Sequence, residues 1–401
     1  MPVWVVAFAV TMSRTPEALI HPELLVWARE SIGLSLEDAA RRLKLSSDRL
    51  VAWEAGESRP SVAQLRGLAR VYRRPLAVFF LPAPPQGFQA LRDFRRLPAH
   101  AGHWSPDLHS AIRRAHFQRE ASLELYRLLG EEPPRRLSFS ADLSDREAFG
   151  LVVREQLGVG LDEQRSWADP RRALSGWIQA LEGVGVLVLQ AQRVTLEEMR
   201  GFSISGGELP VIMLNGADSP RARIFTTLHE FAHILLDASG VCDLHDRGPS
   251  DDIELACNEI AAAALLPRDP FLAEPVLRMR PPDGRWGEDE LVELADAYSV
   301  SREVVLRRLL TFRITTWEFV NEKQREYRTA YAALRDKKAA GGPSPYVMKI
   351  RDLGRPYVEL ALEAFDRNEI TAADVSGYLE VKLNNLPKLE EQLRRARPAE
   401  V

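Results

Sequence analysis

His229-Glu230-Phe231-Ala232-His233 is the stretch whose residue types and spacing specify a chemistry most completely. On a helix, two histidines at i and i+4 project from one face and can share a single tetrahedral Zn²⁺, while Glu230 stands beside the metal as general base for water. The flanks Ile224-Phe225-Thr226-Thr227-Leu228 and Ile234-Leu235-Leu236 keep apolar residues at helical spacing, which predicts a buried helix. The pattern points to metal-assisted peptide hydrolysis.

A catalytic site of this kind takes three protein ligands and leaves one position open. The third is expected from a second helical segment running from Asp251 through an alanine-rich stretch to Pro267. Glu254 and Asn258 lie four apart on one face, so Glu254 can reach the metal while Asn258 hydrogen-bonds a ligating histidine. Glu259 is the rival ligand, roughly 100° around the helix from Asn258. Asp251 and Asp252 suit the helix N-terminus, where the dipole favours carboxylates. Two imidazoles and a carboxylate prefer Zn²⁺, with Mn²⁺ a second occupant.

Before the histidine helix, Arg200 to Ser205, a Gly206-Gly207 turn and Leu209 to Leu214 read as a β-hairpin. An exposed edge of that hairpin could hold a substrate segment as an added strand. Tyr298, His245 and Arg223 are the candidates for stabilising an oxyanion, each with an alternative packing role.

These elements must be positioned by the rest of the chain. Residues 201–267 resemble the ImmA/IrrE family of metallopeptidases: a strand at Pro210 to Asn215, the HExxH helix from Thr226 to Leu236, and an E-x-x-x-N helix from Glu254 to Pro267. Alanines replace the acidic residue that members often carry before the final apolar pair. The resemblance implies a gluzincin-like site with His229, His233 and Glu254 as ligands and Glu230 as base. It also implies a protein substrate, often a repressor.

Upstream, residues 22 to 80 break into five short amphipathic segments at Glu23–Glu30, Leu36–Leu43, Ser47–Ala55, Val62–Tyr72 and Leu76–Phe80. Ser35, Ser46 or Ser47, and Ser61 are N-caps, and Gly56 is a left-handed stop. With Trp53-Glu54-Ala55-Gly56-Glu57 and Arg59-Pro60-Ser61, this run resembles the Xre/Cro-type helix-turn-helix family, whose third helix enters the major groove of double-stranded DNA. The candidate DNA contacts are Ser46, Ser47 and Arg49 on the third segment, and Arg41, Arg42 and Lys44 at the end of the second. Leu36 stands where the family often has a phosphate-binding glutamine. Ten basic against seven acidic residues leave residues 22–80 a net charge of only +3. A module that docks a protein is the alternative reading.

The expected fold is mainly α (α+β): a five-helix helix-turn-helix domain, a gluzincin-like domain with a small β-sheet, and a helical C-terminal module. The expected boundaries are a disordered leader at 1–21, the helix-turn-helix at 22–82, a linker at 83–106, the metallopeptidase domain at 107–312 and the C-terminal module at 313–401. Pro82-Ala83-Pro84-Pro85-Gln86-Gly87 marks the linker. Residues 107–130 and 144–158 read as amphipathic helices, with Arg113, Arg114 and Arg119 on a solvated face. Glu288–Tyr298 and Arg302–Leu310 form a helical pair. The tail carries a Thr371-capped helix and a possible homodimer or partner surface.

Bulk composition fits this division. The 401 residues are 45% hydrophobic with a net charge of −4, so any DNA contact must be local to the first domain. Cys242 and Cys257 have neither disulfide nor CxxC spacing, which suits a reducing cytoplasm. The apolar run Val3 to Val10 is too short to span a membrane and lacks a preceding basic region. Residues 1–11 are expected to be disordered or an over-extended start, with Met12 as the alternative. Two functions follow: a zinc endopeptidase that cuts a repressor in a stress or mobile-element response, or an antitoxin that neutralises a PIN-type ribonuclease toxin by binding. Glu230 favours the enzyme, because a purely structural metal site needs no base.

Overall fold

The computed structural model describes residues 17–84, 104–134, 145–167, 169–206, 208–236, 240–242, 251–278, 283–335 and 344–395. Backbone contacts divide them into two units, residues 17–84 with 104–110, and residues 111 onward.

In the first unit, helices α1 (Pro22–Glu30), α2 (Leu36–Leu43), α3 (Ser47–Glu54) and α4 (Val62–Val71) precede a 3₁₀ turn at Leu76–Phe80. Their ends are set locally. Ser35 accepts from the Asp38 amide, and Ser61 and Gln64 cap each other's backbone reciprocally. Lys44, in the left-handed conformation, ends α2. Leu24, Leu25, Leu50, Trp53, Leu65 and Phe79 fill the core. The Arg29 guanidinium forks onto Glu54 at 2.8 and 2.9 Å, tying α1 to α3.

Residues 17–21 correct the expected leader. Ala18 and Ile20 are buried in this core, and the Ala18 amide donates to the Pro60 carbonyl at 2.9 Å. Residues 1–16 lie outside the described residues.

The second unit holds one four-stranded sheet, β1 (Leu187–Ala191), β2 (Gly201–Ile204), β3 (Val211–Asn215) and β4 (Gly240–Cys242), in the order β1-β3-β2-β4. The hairpin is present as antiparallel β2 and β3, with Phe202 opposite Met213. Its edges are not exposed, contrary to expectation. Strand β1 pairs parallel with β3, and β4 pairs antiparallel with β2. Every residue of β1 is buried, the polar Gln190 included, without the alternation that marks a half-exposed strand.

The helices are α5 (Pro106–Leu129), α6 (Arg146–Leu157), α7 (Leu161–Ser166), α8 (Pro170–Gly183), α9 (Pro220–Leu235), α10 (Asp251–Leu265), α11 (Arg268–Leu272), α12 (Pro275–Arg278), α13 (Glu288–Ala297), α14 (Arg302–Thr311), α15 (Trp317–Arg335), α16 (Pro345–Leu353), α17 (Arg355–Asp366), α18 (Ala372–Leu379) and α19 (Leu386–Arg395). The fold is mainly α with a small sheet. None of the described helices is long and apolar enough to cross a membrane.

Helix α10 is locked at its C-terminal end. Its last turn and the residue beyond offer carbonyls that a helix cannot satisfy internally. Arg154 donates to Ala264 O at 2.7 Å, Gln164 to Leu265 O at 3.0 Å and Arg308 to Leu266 O at 2.9 Å. The two buried guanidiniums also oppose the negative end of the helix dipole. The alanine face of α10 meets α6, where a β-carbon on Gly150 would lie 2.4 Å from Ala263 Cβ.

Arg114 and Arg119 are not a solvated face. Arg114 donates to the Gln190 carbonyl of β1, and Arg119 to Glu208 O at 2.9 Å and to Gly206 O at the hairpin turn. Further along α5, Ala121 and Leu125 join the core of the last four helices, with Leu353, Tyr357, Val358, Val375 and Leu389. Gly354 allows that core to reach the sheet: it has φ +81°, and a β-carbon there would stand 3.0 Å from Val188 O.

Candidate metal centre

Helix α9 starts where Ser219 caps the Ala222 amide and Pro220 presets the first turn. From Arg223 to Ile234 every residue is buried, so the helix is held on all sides. His229 and His233 are 0% and 3% exposed. Their Nε2 atoms lie 3.2 Å apart. Glu254 of α10 closes the triangle, with Oε2 3.3 Å from His229 Nε2 and Oε1 3.2 Å from His233 Nε2.

These spacings can be tested against an ion. Four donors at zinc bond lengths of about 2.0–2.1 Å form a tetrahedron with edges of about 3.3 Å. The three observed separations match that edge, and the donor set of two imidazoles and one carboxylate is one that zinc takes. Burial pushes the Glu254 carboxyl up, but hydrogen bonds from His229 and His233 outweigh it and hold it well below the ordinary carboxylate range. Burial lowers His233, yet hydrogen bonds to Cys257 and Glu254 and the charge of Glu230 raise it strongly overall. Without metal, the cluster therefore keeps protons that an ion would displace.

Glu230 is 0% exposed. Neither of its carboxylate oxygens has a hydrogen-bonded partner among the described residues, and the buried Ser203 hydroxyl on β2 has none either. Ser203 is close enough to lower the Glu230 carboxyl somewhat, as do both histidines, but burial dominates and raises it. A buried carboxylate left without donors is costly in a purely structural setting. Gly201 makes room for it, since a β-carbon there would stand 3.1 Å from Glu230 Oε1.

The other site candidates divide. Glu259 pairs with Arg146 of α6 and is turned away from the histidines. Asn258 Oδ1 is buried with no partner among the described residues, so the expected hydrogen bond to a histidine is not made through that atom. Cys257, three residues after Glu254 and on its side of α10, is near enough to His233 to help raise its affinity for a proton. That i, i+3 relation was available in the sequence.

Two of the three oxyanion candidates make hydrogen bonds elsewhere. The Tyr298 hydroxyl donates to Glu274 at 2.8 Å and accepts from Arg165 at 2.8 Å. Arg223 donates to Gln190 Oε1 at 2.7 Å. His245 lies outside the described residues.

In the first unit, Arg41, Arg42, Lys44, Ser46 and Arg49 are exposed and Ser47 is half-buried. Arg41 pairs with Asp38 at 2.8 Å, and the Arg49 guanidinium lies 5.3 Å from the centre of the Trp53 ring. The end of α2 and the start of α3 thus present these side chains to solvent.

Comparison with known families agrees with this division. Residues 182–310 match a peptidase family described as the IrrE N-terminal-like domain, and residues 25–79 match the helix-turn-helix family. The chain joins a helix-turn-helix domain to a peptidase-family domain. No curated protein matches it.

Proposed function

We propose that this chain, with its helix-turn-helix and IrrE-type peptidase domains, is a zinc-dependent endopeptidase that cuts a transcriptional repressor or similar regulatory protein in the cytoplasm. The observation that carries this reading is a buried, unpartnered Glu230 beside three donors spaced as a tetrahedral ion requires. A binding protein with a silent metal site, such as an antitoxin, has no use for that carboxylate.

His229, His233 and Glu254 would hold the ion. Zinc, when bound, polarises the scissile carbonyl and makes water acidic enough to lose a proton near neutral pH. Glu230 takes that proton on a carboxylate oxygen and delivers it to the leaving amine, and its burial-raised affinity for protons suits both halves of the transfer.

Substrate alignment is assigned to β4, the terminal strand on that side of the described sheet. Gly201 pairs with Cys242 across β2 and β4, so an extended segment added outside β4 lies one strand away from β2, the strand that backs Glu230. The helix-turn-helix domain would bring the enzyme to DNA, where repressors are found.

The test is metal content and cleavage measured together. Wild type and Glu230→Gln are purified and incubated with repressors and toxins encoded nearby, with products read by intact mass. Wild type is expected to hold one zinc and cut a neighbour, while Glu230→Gln holds zinc and does not. A wild type that binds zinc and a toxin stably without cutting anything overturns the peptidase reading in favour of an antitoxin.

A further inference from the structure

The face of α9 that carries the histidines continues into a second concavity. Ala222 and Phe225 precede His229 by seven and four residues and so share its side of the helix. The Phe225 and His229 rings are 6.2 Å apart, centre to centre. Phe225 is therefore a common wall between the metal centre and this neighbouring pocket.

The remaining walls are rich in cations. Arg200 enters from the residue before β2, Arg307 from α14 and Arg328 from α15, against a single carboxylate, Glu303. Arg307 and Arg328 are exposed. Arg200 is partly committed, with Nη1 2.8 Å from Asp218 Oδ2. Its Nε–H, however, is buried with no acceptor among the described residues. A guanidinium carries its charge in a planar fork that matches a carboxylate, so Arg200 adds positive potential to the pocket while its buried Nε–H stays closed to a ligand.

Distance relates the pocket to the chemistry. At 1.5 Å per residue, the midpoint of Ala222 and Phe225 is about 11 Å along the helix from the midpoint of the two histidines. An extended peptide covers that in about three residues.

We propose that this pocket is a substrate subsite for an acidic side chain, about three residues from the scissile bond of the polypeptide cut at the metal centre. Arg307 and Arg328 bind the carboxylate, Arg200 adds positive charge behind them, and Phe225 packs against the stem. Glu303 limits the positive surplus and tunes affinity downward. The inference rests on the peptidase reading for its substrate, but its charge preference is separable from cleavage.

The experiment uses the full chain carrying Glu230→Gln and loaded with zinc, incubated with a randomised octapeptide library, with retained peptides identified by mass spectrometry. Retention is expected to favour Asp or Glu at one fixed position. Adding Arg307→Ala and Arg328→Ala, both at exposed sites, should reduce that enrichment roughly three- to tenfold, and Glu303→Gln should increase it. Absence of acidic enrichment, or enrichment unchanged in the double variant, overturns the subsite. Wild type is then given the retained peptides. Cleavage about three residues from the acidic position supports both readings, whereas acidic peptides that are retained but never cut overturn the peptidase reading and leave the charge preference standing.

Discussion

Gly201 and Glu230 face each other across the junction of β2 and α9 so closely that a β-carbon on Gly201 would lie 3.1 Å from Glu230 Oε1 and 2.5 Å from Thr226 Cγ2. The second distance is shorter than real contacts allow, so the strand or the buried helix must shift. Gly201→Ala should therefore displace α9 slightly and cost about 1–3 kcal/mol in stability. Because the disturbed carboxylate is the proposed base and not a ligand, zinc content should stay near that of wild type while cleavage falls by an order of magnitude or more. Chemical denaturation, metal analysis and turnover on one preparation check this. Loss of zinc in step with loss of activity would show that the glycine supports the ligands instead.

Gly150 on α6 poses a similar question for the third ligand. A glycine-to-alanine change inside a helix ordinarily stabilises by about 0.5–1 kcal/mol. Here the new methyl would meet Ala263 Cβ at 2.4 Å and Ala264 N at 2.8 Å, so overpacking at about 1–3 kcal/mol wins. Gly150→Ala should lower the melting temperature and weaken zinc binding, because α10 carries Glu254. Gly377, inside α18 with open space around its β-carbon position, is the control, and Gly377→Ala should leave stability unchanged or raise it. Equal responses at the two sites would contradict the packing argument.

The protons held by the metal-free cluster set its pH dependence. Glu254 lies below its ordinary 4.5, so its contribution to stability is present above about pH 4.5 and lost as pH falls through its folded value. His233 lies above its ordinary 6.5, so its contribution is complete below about pH 6.5 and lost as pH rises through its folded value. These two contributions coexist fully between those limits. Metal-free protein should therefore melt at lower temperature at pH 8 than at pH 6. Zinc affinity should rise over the same interval, since the ion needs neutral imidazoles, and binding at pH 7 should release protons. Thermal melts with and without chelator, and calorimetry in two buffers of different ionisation heat, measure both effects. A metal-free melting temperature that rises from pH 6 to 8 would refute the assignment.

What was legible in the sequence was what depends on neighbours along the chain. The serines at 35 and 61 act within one helical turn, so α2 and α4 begin where those residues predict. The i, i+4 spacing of His229 and His233 is set covalently once the helix forms. What was not legible depends on distant partners. Strand β1 lacks alternation because it is buried throughout, and β4 is only three residues long, so the covering of the hairpin edges left no periodic trace. Tyr298 looked free for chemistry until Glu274 and Arg165 claimed its hydroxyl. Gly150 and Gly201 read as ordinary glycines, and only the packing of α6 on α10 and of β2 on α9 gives them a role.

The first domain offers a test in which two kinds of contact separate. Arg41, Arg42 and Lys44 cluster where α2 ends, and Ser46 and Arg49 stand at the start of α3. If α3 enters the major groove, the α2 group lies toward phosphates and Arg49 toward base edges. Neutralising the α2 group should weaken binding to all duplexes alike and reduce the salt slope by about 0.9 for each phosphate contact removed. Lys44 is best changed to Asn, because its φ of 56° is one that Asn tolerates and Ala does not. Arg49→Ala should instead cost about 1–3 kcal/mol on the preferred sequence and little elsewhere. Part of its loss will come from stacking, since the guanidinium rests against Trp53, so Arg49→Lys is the informative companion: it keeps the charge but loses the planar fork. Binding to fragments from upstream of the gene, titrated at several salt concentrations, separates the outcomes. A chain that binds no duplex at low salt would leave this face to a protein partner, as its net charge of only +3 over residues 22–80 also allows.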